Sequence, residues 1–277
     1  MKEQLEDIIR QVYRKEKRNL FTFLTGAGIS SDSGIPTYRG TDGIWVKGTA
    51  FHKPEEFGTL AYFKQHPEEV LQYTLFRKKM FESADPNESH FLLSGIEDVL
   101  KDRFQLITQN VDNLHRRAGS RRLYEIHGNN REIKCSNGCR EIISLPEEIT
   151  GKNIDEELTE RDIELLTCRN CGHWMRPNIL WFDEYYNEKT HKRFSALKAA
   201  KNSGILFIIG TSGATNLPFA IAETAMKYGA TLVDINTEDN HFTGLIKNKK
   251  NKIIVRETST EALRWIDEII RNIKLQQ

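Results

Sequence analysis

The chain has 277 residues, 38% of them hydrophobic and 29% charged, and a net charge of +1. That is enough apolar material for one large domain with a full core, and the even charge balance gives no electrostatic case for nucleic acid or an acidic membrane surface as a direct partner. No apolar run nears the roughly 20 residues that cross a bilayer, and the charged stretch from Met1 to Asn19 lacks the form of a secretory signal, so the expected location is the cytoplasm.

Leu5, Ile8, Ile9 and Val12 recur at helical spacing, which predicts an opening amphipathic helix. "LFTFL", Leu20 to Leu24, reads as a buried strand. It runs into a bare stretch, "LTGAGISSDSGIPTYRG", with few core-building side chains. Residues 53 to 100 read as largely helical, with Pro54 and Pro67 as early-helix positions and an apolar stripe in "EEVLQYTLFRKKMF". Further strands are expected at Phe104–Asn110, at "RLYEIHGN" up to His127, at Gly204–Ser212, at Thr231–Glu238 and at Lys252–Glu257. Helices are expected at Pro218–Tyr228 and from Thr260 onward, and the basic run Lys247–Lys252 reads as a solvated loop.

Near-continuous apolar strands alternating with helices predict an α/β fold, a Rossmann-like parallel sheet with helices on both faces. Ligands of such sheets bind at the carboxyl ends of the strands. Several of the predicted strands end in chemically loaded residues: Gly26, Asn110, His127, Thr211 and Asn236. Gly26 and Gly28 suit a turn that lets a ligand approach the backbone, and amides at a helix start suit a pyrophosphate. A plain tight turn fits the same residues. Ser31 stands where a dinucleotide fingerprint has its third glycine, and no Gly-Lys-Ser/Thr follows to make a P-loop.

All four cysteines fall in one short region, as Cys135-x3-Cys139 and Cys168-x2-Cys171. Paired thiolates at this spacing suit a closed, structural zinc site. Gly138 and Gly172 allow the tight turns of the two knuckles, and His173 is an alternative ligand. The expected unit is a small zinc-ribbon domain over residues 129–175, with little core of its own along Glu147–Asp162.

Taken together and in order, G-A-G-I-S, S-G-I-P and Y-R-G, then "TQNVDNLHRRAG" (Thr108 to Gly119), "EIHG" (Glu125 to Gly128), "RPNILWFDE" (Arg176 to Glu184), "GTS" (Gly210 to Ser212) and "INTE" (Ile235 to Glu238) resemble the sirtuins, the NAD-dependent protein lysine deacylases. The resemblance runs over roughly residues 20 to 265. It implies one catalytic domain over 1–277, with a Rossmann-like NAD-binding part (1–40, 90–128, 176–277), a helical insertion (41–89) and the zinc module (129–175).

The resemblance also implies roles for residues. Gly26, Ala27 and Gly28 would lie against the NAD pyrophosphate, with Arg39 near phosphates and ribose. Tyr38 takes the place of an aromatic near the departing nicotinamide. Ser30, Gln109, Asn110 and Asp112 would serve the nicotinamide ribose and carboxamide pocket; Asn110 and Asp112 read equally well as caps of a strand-to-helix turn. Gly210, Thr211, Ser212, Asn236 and Glu238 would face the adenosine half. His127 becomes the general base, where a histidine of ordinary pKa near 6.5 suits neutral pH. In the family's reaction the acyl oxygen attacks the ribose carbon of NAD, nicotinamide leaves, and the acyl group departs on ADP-ribose.

An acyl-lysine protein or peptide would lie between Ile179–Glu184 (Ile179, Phe182, Asp183, Glu184) and Gly213–Leu217 (Ala214, Thr215), pairing as an added strand. Both segments depart from the family pattern: Asp183 replaces a common glycine, and one extra residue precedes Pro218. Asp183 reads either as a tunnel-facing carboxylate or as a surface one. In "RGTDGIWVKG" the apparent position of an acyl-carboxylate-binding tyrosine holds Ile44, and Lys47 is the nearest cation, so uncharged acyl groups are expected. The altered clamp keeps two other functions open, an ADP-ribosyltransferase or NADase on the same scaffold and a catalytically silent NAD sensor.

Overall fold

A computed structural model of the protein describes residues 1–37 and 57–276. Its main sheet takes the strands rich in β-branched and aromatic residues: β1 (Leu20–Thr25), β2 (Phe104–Thr108), β3 (Leu123–Glu125), β7 (Ser203–Ile209), β8 (Thr231–Ile235) and β9 (Lys252–Val255). They pair in parallel in the order β3-β2-β1-β7-β8-β9. The chain therefore works outward from β1 to one edge, then returns to fill the other side. The reversal falls between β1 and β7, the switch point where doubly wound sheets open a ligand crevice.

Register makes that crevice level. Thr25 lies opposite both Thr108 and Ile209, Ile209 opposite Ile235, and Ile235 opposite Val255. The residues after these strand ends, Gly26, Gln109, Gly210, Asn236 and Arg256, thus form one rim.

Helices cover both faces, as expected for a parallel sheet buried on both sides. On one face Leu5, Ile9 and Val12 of the helix Lys2–Arg14, Leu93 and Ile96 of Glu88–Leu100, and Leu263 and Ile266 of Ser259–Leu275 pack over the strands. Phe23 lies at the centre of that layer, its ring stacked 4.7 Å from Phe207 and 5.1 Å from Phe104. On the other face sit Arg193–Asn202, Asn216–Lys227 and His241–Ile246, whose small residues Ala196, Ala200 and Ala222 allow close approach. Among the described residues no helix is long and apolar enough to cross a membrane.

Two expectations shift. The strand expected to end at His127 stops at Glu125, because Ile126 and His127 carry the chain out of the parallel sheet. Gly128 then opens β4 (Gly128–Cys135), the middle of an antiparallel sheet with β5 (Ile143–Ser144) and β6 (Met175–Ile179). The polar stretch Glu147–Asp162 does not stand without a core. Ile149 and Leu166 join Ile133 and Met175 of the small sheet in a cluster with Phe63, Leu71 and Leu75 from the helices Leu60–Gln65 and Pro67–Ser83. Within this unit the ammonium of Lys152 is buried 3.0 Å from the Asp162 carboxylate. Pro67 begins its helix, as expected; Pro54 lies outside the described residues.

Phe23 is wholly buried between two rings, so Phe23→Ala should destabilise the protein by about 3–5 kcal/mol, the cost of removing a large aromatic from a packed core. Urea unfolding followed by circular dichroism measures it, with the midpoint falling and the slope kept.

Candidate active site

The rim of the main sheet walls a cleft of about 730 Å³, within the ~300–1,000 Å³ range of small-molecule sites. It is lined at one end by Asn236, Glu238 and Ser212, in the middle by Gly26, Ala27, Gly28, Gly210 and Thr211, and at the other by Gln109, Asn110 and His127. Ile179, Phe182, Glu184, Ala214 and Thr215 also line it. Tyr38, Arg39, Ile44 and Lys47 lie outside the described residues.

The glycines of the middle wall have a packing reason. The amide of Gly26 donates to the Ile209 carbonyl at 3.0 Å, and that of Gly28 to the Gly210 carbonyl at 2.8 Å. A Cβ on Gly26 would stand 2.5 Å from Thr211 Cβ, and one on Gly28 would stand 2.8 Å from Gly210 Cα. The loops after β1 and β7 therefore meet backbone to backbone. The Gly26 and Gly28 amides are thus used in this seam. Ala27–Ser33 forms a 3-10 helix closed by Gly34, and the Asn87 side chain donates to the Ile29 carbonyl at 2.8 Å to pin it.

Behind the cleft is a polar cluster. Ser30 is buried and donates to Asp112 Oδ2 at 2.8 Å, while Asn110 Nδ2 donates to Ser30 Oγ and to the Gly26 carbonyl, each at 3.1 Å. Asp112 Oδ1 accepts the Leu114 amide at 2.9 Å, so the turn-capping reading of Asp112 is met alongside its place in the site. Ser30 and Asp112 do not reach the main cleft. They line a smaller adjoining cavity that shares Ala27, Asn110 and Val111 with it. Burial pushes the Asp112 pKa up, opposed by the Leu114 amide, the Ser30 hydroxyl and the charge of Arg77.

His127 stands where the two sheets part. A Cβ on Gly128, which has φ of +85°, would fall 1.8 Å from the Asn178 carbonyl oxygen, so only glycine fits beside β6. The Leu180 amide donates to the His127 carbonyl at 2.9 Å. Burial drives the imidazole pKa down from 6.5 to about 4; the Gln109 main chain favours the charged ring, and His191 disfavours it. The ring is therefore neutral throughout the physiological range, well below the ordinary value expected. Its Nε2 lies 2.9 Å from the Tyr186 hydroxyl.

Asp183 is exposed, as its surface reading expects, and its carboxylate oxygens accept the amides of Leu60 and Ala61 at 2.7 and 3.0 Å, which holds the start of the helix Leu60–Gln65. Glu184 reaches the cleft, but its carboxylate is bound by both Arg176 Nη atoms at 2.8 and 2.7 Å. Burial works against that charge, yet the Arg176 guanidinium holds the Glu184 pKa below the usual value. Arg176 itself lies over the Trp181 ring. These contacts shape Ile179–Glu184 rather than leaving its carboxylates for a ligand. Across the cleft, Thr215 Oγ1 donates to Gln109 Oε1 at 3.2 Å, and Gln109 Nε2 donates to Thr211 Oγ1 at 2.8 Å.

Among the wall residues that were not anticipated are Tyr186, Tyr73 and Arg77. Arg77 is buried, lies over the Phe81 ring and faces the Asp112 carboxyl. Its place four residues after Tyr73 and four before Phe81 puts it on the apolar stripe of its helix, a signal present in the sequence. Tyr186 had no local signal.

The cysteines converge. The Sγ atoms of Cys135, Cys139, Cys168 and Cys171 lie within 4.8 Å of one another, with separations of 3.2 Å for Cys139–Cys171 and 3.5 Å for Cys135–Cys171. Disulfide sulfurs sit about 2.05 Å apart, so these are free thiols. A tetrahedron with Zn–S bonds of about 2.3 Å has edges of roughly 3.8 Å, and the set fits such an ion closely. The extra residue in Cys135-x3-Cys139 is absorbed in a turn where Gly138 has φ of +69°. His173 Nδ1 faces the Cys171 carbonyl at 3.1 Å and stays out of the set.

The Sir2 family model matches residues 26–216, which include the glycine seam, the Asn110–Asp112 cluster, His127 and the four cysteines. The chain belongs to the Sir2 family. An NAD-dependent protein deacylase of Leptospira interrogans is 37% identical over 235 residues, covering 84% of this chain and 87% of that protein. Two solved Sir2 homologues are similar at 27% identity. One, a mutant complex with 2′-O-acetyl ADP-ribose, has a TM-score of 0.78 and covers 100% of this chain and 98% of its own. The other, a complex with NAD, has a TM-score of 0.77 and covers 99% and 94%.

Two measurable consequences follow from the site. Cys168→Ala should reduce bound zinc from one ion per chain to none by elemental analysis and lower the melting temperature by at least ~10 °C, since structural zinc supplies folding free energy. His90, His115, His127 and His191 are all held below 6.5 by burial. The unfolded chain takes up their protons first as pH falls, so stability is full above about 6.5 and is lost progressively toward pH 4. Urea titrations at stepped pH should show that slope, shallower by up to one proton in His115→Asn.

Proposed function

We propose that the protein is an NAD-dependent protein lysine deacylase that prefers uncharged acyl groups. The observation that carries this reading is one half-buried, neutral imidazole, His127, at the end of a cleft whose far end is lined by Asn236 and Glu238. NAD fits as the second substrate because the cleft runs along the rim from Asn236 to His127 and its middle wall is bare of side chains at Gly26, Gly28 and Gly210. When bound, NAD supplies the electrophilic ribose carbon and the acceptor for the acyl group.

In this reading Asn236, Glu238 and Ser212 hold the adenosine half, and Thr211 and the Gly26–Gly28 backbone flank the phosphates. Asn110, with Ser30 and Asp112 behind it, shapes the nicotinamide end. Neutral His127 accepts the proton of a ribose hydroxyl, help worth about a hundredfold to ten-thousandfold. The acylated lysine of a protein or peptide passes between Ile179–Phe182 and Ala214–Thr215. Arg77 does not by itself argue for an acyl carboxylate, because Asp112 already faces its charge. One structural zinc at the four cysteines braces the small domain 129–175, and the helical insertion (41–89) and Rossmann-like parts complete the same catalytic domain. The same reading places the enzyme in the cytoplasm, and the near-zero net charge supports the expectation of no direct nucleic-acid partner.

Incubation with NAD and matched acetyl- and succinyl-lysine peptides, followed by mass spectrometry, tests the reading. Free lysine with O-acetyl-ADP-ribose is expected, faster from acetyl than from succinyl, and His127→Ala should slow it at least a hundredfold. ADP-ribosylated protein, nicotinamide release independent of peptide, or unchanged NAD would each replace it.

A further inference from the structure

The Tyr186 hydroxyl stands 2.9 Å from Nε2 of His127, inside the cleft and on the nitrogen through which that ring is tied to a side chain. Tyr186 follows one peptide-clamp segment, Ile179–Glu184, by two residues. Its hydroxyl also faces the Thr215 side chain and the Leu217 main chain of the opposite segment. One phenol thus spans the gap between the two segments and touches the base at the gap's floor. Its ring is packed between two imidazoles, His127 at 5.9 Å and His191 at 6.0 Å between centroids.

A neutral imidazole has one lone pair to offer. A base engaged by a tyrosine hydroxyl cannot accept a ribose proton through the same nitrogen. We propose that Tyr186 donates its O–H to His127 Nε2 as a substrate-displaced cap: an acyl-lysine entering between the clamp segments must push the phenol aside, and Tyr186 thereby sets affinity for the acylated substrate. This rests on the deacylase reading of the same cleft.

Three further observations agree. Burial pushes the Tyr186 pKa up to about 12, so the hydroxyl keeps its proton and remains a donor. His191 behind the ring accepts the Asn187 amide at Nδ1, 3.1 Å away, and its buried Nε2 has no partner, so this wall offers the phenol no hydrogen bond. The charges beyond it, Lys134, Arg176 and Glu184, act on His191, and Arg176 and Glu184 are paired with each other. The cap is therefore held mainly by the bonds that a substrate would compete for.

Tyr186→Phe keeps the ring and deletes the hydroxyl. Steady-state kinetics with an acetyl-lysine peptide should show kcat/KM raised about tenfold, the gain falling in KM, which corresponds to one hydrogen bond of ~1.4 kcal/mol no longer broken on binding. A tenfold fall in kcat at constant KM would overturn the cap and make Tyr186 a positioning residue for His127; unchanged constants would also overturn it. If the wild-type chain turns over no acyl-lysine peptide, the deacylase reading fails, and the cap is judged by itself from ¹⁵N NMR of the ligand-free protein. There the cap requires a proton on His127 Nδ1, a hydrogen-bonded Nε2, and a His127 pKa that rises toward the ordinary value in Tyr186→Phe. A proton on Nε2, or a pKa unmoved by the substitution, overturns it.

Discussion

The backbone seam between the loops that follow β1 and β7 is the contact on which the site depends. Gly26, Gly28 and Gly210 let two main chains hydrogen-bond directly at the rim, at distances no Cβ would permit. Because this happens where strand order reverses, the seam becomes the floor of the cleft instead of a filled corner of the core. It also tells apart two explanations of the glycine-rich stretch. Two of its amides serve the fold, so what the stretch presents to a ligand is mainly a surface without side chains, flanked by Thr211 and Gln109.

A second constraint joins the two sheets. β4 starts beside His127 and ends at Cys135, so one strand links the imidazole to the thiol cluster. At its start Gly128 touches the Asn178 carbonyl so closely that the chain has one path past β6. Metal binding at one end can therefore restrain His127 at the other without any ligand contact between them. The small sheet also shares its core with the helices Leu60–Gln65 and Pro67–Ser83, and Asp183 ties the segment after β6 to the first of them. These two helices, the thiol site and the segment after β6 are one mechanical unit.

Electrostatically, burial acts on two of the ionisable groups around the cleft in opposite directions. Burial lowers the pKa of His127 and raises that of Asp112, so each is biased toward its uncharged form. Hydrogen bonds from Ser30, Asn110 and Tyr186 then fix orientation. The charged pair Arg176–Glu184 is kept to shaping the wall, where a bidentate geometry and the Trp181 ring compensate its desolvation.

Much of this was legible before any coordinates. Alternation of apolar strands with helices gave the doubly wound sheet, because strands buried on both faces leave near-continuous hydrophobic runs. The motif order marked the family, and the cysteine spacing marked the thiol cluster, since ligands close in sequence need little tertiary help to converge. What escaped was non-local. The partner of His127 lies 59 residues further on, in a segment without periodicity. The shift of its pKa comes from burial that no local pattern encodes. The cap by Asp183 joins residues more than 120 positions apart. The amino-acid sequence alone thus determined the architecture, the family and the chemical types at the cleft, through local periodicity and motif spacing. Only the tertiary structure decided which amides the seam uses, which carboxylates are tied back, and which hydroxyl meets His127, because those outcomes depend on distances between distant parts of the chain.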